Sequence, residues 1–136
     1  MSDTFDLPQG LDATALVSLP DPDGTPNRVL DRNLGFRIHA QWTVTGGVST
    51  TIGGTWRVRA FAESMGPGPE YDLGSVDTAV VPQDPHTYIS HILVPGNTMD
   101  VGVYKLVIVI THTNSLGVAT EMTGFAEGPL FQIREP

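Results

Sequence analysis

Along FRIHAQWTV, residues 36–44, Phe36, Ile38, Ala40, Trp42 and Val44 alternate with Arg37, His39, Gln41 and Thr43. Period two over this length predicts a strand with one buried face and one wet face. The pattern returns in GGTWRVRAFAE, 53–63, where Trp56, Val58 and Ala60 alternate with Arg57, Arg59 and Phe61. ATALVSL at 13–19 predicts a short first strand, and YDLGSVDTAVV at 71–81 a weaker one, broken at Gly74. HTYISHILVP at 86–95, the apolar run from Val103, VATEMTGF at 118–125 and LFQI at 130–133 complete the set. Between them stand PDPDGTPN, SMGPGPE, PQDP and PGNT, dense in turn formers. Residues 1–11 lack periodicity and read as a flexible N-terminal arm, leaving 12–136 as one domain. Seven to eight antiparallel strands at short intervals and no helical period predict an all-β sandwich.

The most hydrophobic strand is preceded by Asp100, Gly102 and Tyr104 in the order D-x-G-x-Y. A tyrosine entering a core from an exposed corner can bury its ring and return its hydroxyl to upstream backbone. The glycine lets the turn pass beneath the ring, and the acid can hold the bend through local N–H groups. This motif resembles the tyrosine corner of the immunoglobulin-like superfamily. Trp56 lies where that superfamily places its core tryptophan, and Leu106 stands where antibody-type domains have their second cysteine. The resemblance implies a Greek-key sandwich with strand A near 13–19, B near 34–45, C near 54–62 and D within 71–81. E is then 87–94, F 103–112 and G 118–133 with an interruption, for which GFAEGPLFQI suggests a glycine bulge. Other Greek-key sandwiches, the jelly roll among them, fit the same strand spacing. Both cysteines are missing, so apolar packing must pin the sheets, with Trp42, Trp56, Tyr104 and Leu106 as the candidates.

Composition narrows the function classes. The chain has no cysteine, which excludes disulfides and thiolate metal sites. Its net charge is −8, with Lys105 the only lysine. So few cations argue against a nucleic-acid backbone and against anionic membranes as partners. The N-terminus has neither a basic nor an apolar leader segment, and no run is long enough to span a bilayer, so a cytoplasmic protein is expected.

No nucleophile motif, phosphate loop or assignable carboxylate pair is present, so no catalytic residue and no cofactor is expected. The four histidines show no metal-ligand spacing, and an exposed His39 is expected on the polar face of its strand. Asp21, Asp23 and Asp31 are weak calcium candidates, because the EF-hand pattern fails where Arg32 replaces the closing glutamate. The F strand is apolar on both faces. With Tyr104, Leu106, Ile108 and Ile110 inward, Val103, Lys105, Val107 and Val109 face outward, beside Arg57, Arg59 and Phe61. That face, or the end loops, is the expected contact surface of a non-catalytic module that binds a protein partner or another copy of itself. The alternative is a small-ligand or carbohydrate binder, calcium-assisted or not, using loop acids with Tyr71 and Tyr88.

Overall fold

The structure is a computed structural model that describes residues 3–19 and 29–136. Nine strands lie among them: β1 Asp3–Asp6, β2 Asp12–Ser18, β3 Val29–Asp31, β4 Phe36–Thr45, β5 Thr55–Ser64, β6 Tyr71–Ala79, β7 His86–Val94, β8 Gly102–Thr113 and β9 Ala119–Arg134. A single 3-10 turn at Gly47–Thr50 follows β4. One sheet has the order β1-β9-β8-β5-β6, with β3 added in parallel to β9; the other has the order β2-β4-β7. The chain therefore crosses between sheets as an immunoglobulin-like Greek key, with β2, β4, β5, β7, β8 and β9 in the places of strands A, B, C, E, F and G.

Alternation sets what each strand buries. Ile38, Ala40, Trp42 and Val44 of β4 face Trp56, Val58, Ala60 and Ala62 of β5 and Leu106, Ile108 and Ile110 of β8, all buried. One ring contact bridges the sheets: Tyr88, stacked on its own-sheet neighbour Trp42 at 5.2 Å between centroids, meets Trp56 of the other sheet edge-on at 6.2 Å. Trp56 also packs on His112 at 5.0 Å. His112 is in phase with Ile108 and Ile110 and is buried in the core. Its Nε2–H donates to the Gly53 carbonyl at 2.7 Å, and its Nδ1 is hydrogen-bonded to the Thr120 hydroxyl at 2.9 Å. A carbonyl can only accept, so Nε2 carries a proton.

The corner forms around Tyr104. Its hydroxyl donates to the Asp100 carbonyl at 2.8 Å, and a Cβ on Gly102 would press on its ring. Tyr71 joins from β6, its ring edge-on to Tyr104 at 5.8 Å and its hydroxyl accepting from the Asp100 N–H at 3.3 Å. The Asp100 carboxylate meets Arg32 at 3.3 Å instead of local N–H groups, because β3 carries Arg32 up beside the corner.

The structure departs from expectation in four places. Residues 3–6 are strand β1, paired with β9, and not part of an arm. Phe5 covers Gly124, where a side chain would collide with its ring; a strand of four residues is too short to show a period. Three-residue β3 was likewise invisible and brings the count to nine. The segment at 71–81 takes its place beside β5, in the sheet of strand C, and not beside E as a D strand would. It runs through Gly74 as a bulge: φ of +115° there shifts the register between Ala60 and Phe61, returning Val76 to the inner face after buried Leu73. Strand β9 is also continuous, with an irregularity where Lys105 pairs with Leu130 and Val107 with Glu127.

Burial first, then Tyr71 and Asp100, raise the Tyr104 pKa above the usual phenol value. A raised acid pKa means that the protonated form favours the fold. This stability is complete below about pH 10 and is lost as pH rises through the folded-state value. Tyr104→Phe should cost about 1–2 kcal/mol in urea unfolding at neutral pH and flatten the alkaline decline in stability. An unchanged midpoint and an unchanged alkaline limb would contradict the corner. Phe5→Ala should cost about 1–3 kcal/mol, less than the loss of a fully buried ring because Phe5 is half-buried. No change in urea midpoint would return residues 3–6 to the status of an arm.

Candidate functional site

The outer face of the larger sheet gathers Arg57, Arg59 and Phe61 of β5 with Val103, Lys105, Val107 and Val109 of β8. Register sets Arg59 opposite Val109 and Phe61 opposite Val107. Each cation on this face meets an acid from a neighbouring strand. Arg57 holds Asp77 through two bonds of 2.8 and 3.2 Å, Arg59 approaches Asp72 at 3.6 Å, and Lys105 approaches Glu127 at 3.2 Å. The hydrogen bond from Arg57 holds the Asp77 pKa below the usual carboxylate value. The Arg59 guanidinium also lies over the Phe61 ring at 5.7 Å. Val107 points outward yet is only 3% exposed, between Phe61 and Glu127 in the ladder. Charges are neutralised and the central valine is covered, so the face offers less free surface than its residues suggest. Its open apolar positions are Val103 and Leu130 at the β8 entry, and Phe125 opposite Val109.

The outer face of the smaller sheet differs. Cross-strand rows set Leu16, Gln41 and Ile89 side by side, then Ser18, His39 and His91, then Arg37 and Leu93. Thr43 and Thr87 share a hydroxyl bond of 2.8 Å in the same ladder. Neither β4 nor β7 contains an acidic residue, although the chain has 15. Leu93 is 76% exposed, Ile89 54% and Leu16 42%. Strand β7 ends this sheet, and no described strand pairs with its far side. It carries none of the lysines, prolines or bulges by which edge strands are usually protected.

His39 and His91 meet on this face, Nδ1 to Nε2 at 3.0 Å, with ring centroids 5.0 Å apart. Burial, then the charges of Arg37 and His39, hold the His91 pKa below its ordinary value. Spacing along the chain could not show this pair, which lies across 52 residues of sequence. The available signal was phase: both histidines fall on the outward positions of strands that the immunoglobulin-like order places side by side.

The other candidates scatter. Asp31 binds Arg134 at 3.1 Å; Asp21 and Asp23 lie outside the described residues. Among the described residues, no three His, Asp or Glu side chains are grouped to hold a metal ion. Tyr88 is buried, its hydroxyl donating to the Val81 carbonyl at 3.2 Å and accepting from the Val81 N–H at 2.9 Å. Tyr71 serves the corner. Ser90 faces inward to Thr78 at 2.9 Å while its neighbour His91 faces out. An open groove of about 520 Å³ runs between Met65–Pro69 and Asp100–Tyr104. Its titratable groups are Asp100, paired with Arg32, and the buried Tyr104 phenol. No helix among the described residues is long and apolar enough to cross a membrane.

No family model matches the sequence, and no curated protein matches it. Solved structures of similar shape include the CARDB domain of the PF1109 protein from Pyrococcus furiosus, in complex with di-metal ions. It is 14% identical over 96% of this chain and 100% of that one, with a TM-score of 0.47. The PmoD soluble domain from Methylocystis sp. ATCC 49242 (Rockwell) is 8% identical over 96% of each chain, with a TM-score of 0.40. The putative ApaA protein from Bordetella pertussis is 12% identical over 97% of this chain and 95% of that one, at 0.34. Nothing about the chemistry of this chain follows from them.

Proposed function

We propose that this domain is a non-catalytic assembly module whose contact element is the open edge of β7, and that its occupant is a second copy of the chain. The observation that carries this reading is the nine-residue edge that no described strand pairs, flanked by exposed Ile89 and Leu93. Unpaired backbone N–H and C=O groups along such an edge are a template for another strand. Self-pairing suits the sequence of β7. Antiparallel alignment centred on Ser90 sets Ile89 against His91 and Thr87 against Leu93 of the second copy, with no acid on either side. A chain of net charge −8 repels its copies over most of its surface, and the acid-free face of β4 and β7 is where that repulsion is weakest. The larger sheet, with its cations held in cross-strand pairs, is a poorer contact surface.

Sedimentation equilibrium across the micromolar range should show a dimer that grows with concentration. Ile89→Lys combined with Leu93→Lys should leave a monomer whose melting temperature, compared in protein dilute enough for the wild type to be monomeric, is unchanged, since both side chains are exposed. A wild-type chain that stays monomeric throughout would overturn self-assembly. A dimer that survives both lysines but is lost in Arg59→Glu would move the contact to the larger sheet.

A further inference from the structure

We propose that His39 and His91 form a two-imidazole chelate for a divalent transition metal, copper(II) above all, on the outer face of the smaller sheet. Both side chains project from the face, so the pair does not require edge pairing, although a second copy on β7 would set its Ile89 beside His91.

Register makes the two residues direct cross-strand partners, so backbone pairing sets their spacing. The facing nitrogens, Nδ1 of His39 and Nε2 of His91, are 3.0 Å apart. Metal–imidazole bonds are about 2.0 Å long, so two of them meeting at a right angle hold their nitrogens about 2.8 Å apart, against about 3.3 Å at a tetrahedral angle. The observed spacing falls between the two, so a modest turn of each ring off the hydrogen-bond line aims both lone pairs at one ion, and copper(II) heads the affinity order for such ligands.

The protonation states also fit. A contact this short between ring nitrogens requires that one of them carry a proton and the other a lone pair. Moving that proton to the far nitrogen of its own ring frees both lone pairs for a metal, with no proton released. Ser18, paired with His39 by register, is the polar neighbour on the third strand. Coordination beyond the two rings is open to water, since His91 is exposed and His39 half-buried. Arg37, one row away, opposes a cation, and the absence of carboxylates from β4 and β7 limits the site to two protein ligands. Micromolar binding is the expectation. The other two histidines are engaged elsewhere: His86 with Gln83 at 3.0 Å, and His112 at both ring nitrogens.

The test is titration of the metal-free protein with copper(II), read by calorimetry and by electron paramagnetic resonance. One equivalent should bind, with hyperfine structure from two imidazole nitrogens. His39→Gln and His91→Gln should each weaken binding by roughly a hundredfold, the loss expected when one of two linked donors is removed. His86→Gln should leave it unchanged. Affinity unaffected by either of the first two variants would place the copper elsewhere, for instance at the terminal amine. A loss in only one of them, or a one-nitrogen spectrum, would reduce the site to a single ligand. Either result overturns the chelate.

Discussion

Strand β6 bonds to β5, and the second sheet therefore ends at β7. That choice of neighbour shapes the rest of the surface. The bulge at Gly74 keeps both halves of β6 in phase with β5, and the Arg57–Asp77 fork ties the two strands on the outside. On the inside, Thr78 reaches Ser90, and Tyr88 holds the backbone of Val81, where the chain leaves β6 to cross to the other sheet. Strand β6 thus packs over the flank of β7 through side chains without filling its ladder. The result is a sandwich of unequal sheets: a larger one with ion-paired outer charges, and a three-stranded one with an open, acid-free edge.

A cysteine-free sandwich has to be joined across its middle by packing. Here Trp42 and Tyr88 from one sheet and Trp56 and His112 from the other form a continuous aromatic contact. The indole N–H groups of Trp42 and Trp56 are buried and have no hydrogen-bond partner among the described residues. An unsatisfied buried donor costs about 1–3 kcal/mol. The rings remain favourable through the area they bury and through their stacking geometry. His112 and Tyr88, by contrast, are fully engaged and give the contact its direction. At the other end of the core Tyr104 stacks on Phe131 of its own sheet at 5.8 Å, and Phe131 meets Phe36 of the smaller sheet at 6.1 Å.

Much of the fold was legible in the sequence because alternation reports burial directly. The clean phase of 36–44 marked β4, and D-x-G-x-Y marked the corner with its backbone acceptor. What escaped was whatever depends on a neighbour. Residues 3–6 carry one ring, Phe5, whose burial makes sense only over Gly124. Val107 reads as an exposed valine until Phe61 and Glu127 are set beside it. Arg57 and Arg59 read as free cations until β6 supplies Asp77 and Asp72. His39 and His91 look unrelated until β4 and β7 pair. Histidine at 112 sits at an inward position of an apolar strand, a phase signal that composition alone hides.

Self-assembly requires that the far side of β7 be a working edge. Hydrogen exchange of its backbone amides, measured in dilute and in concentrated protein, addresses this most directly. Amides of β7 that point away from β4 should exchange quickly when dilute and become protected when concentrated, while those of β5 and β8 stay protected in both. Exchange in β7 that does not change with concentration would contradict the central claim.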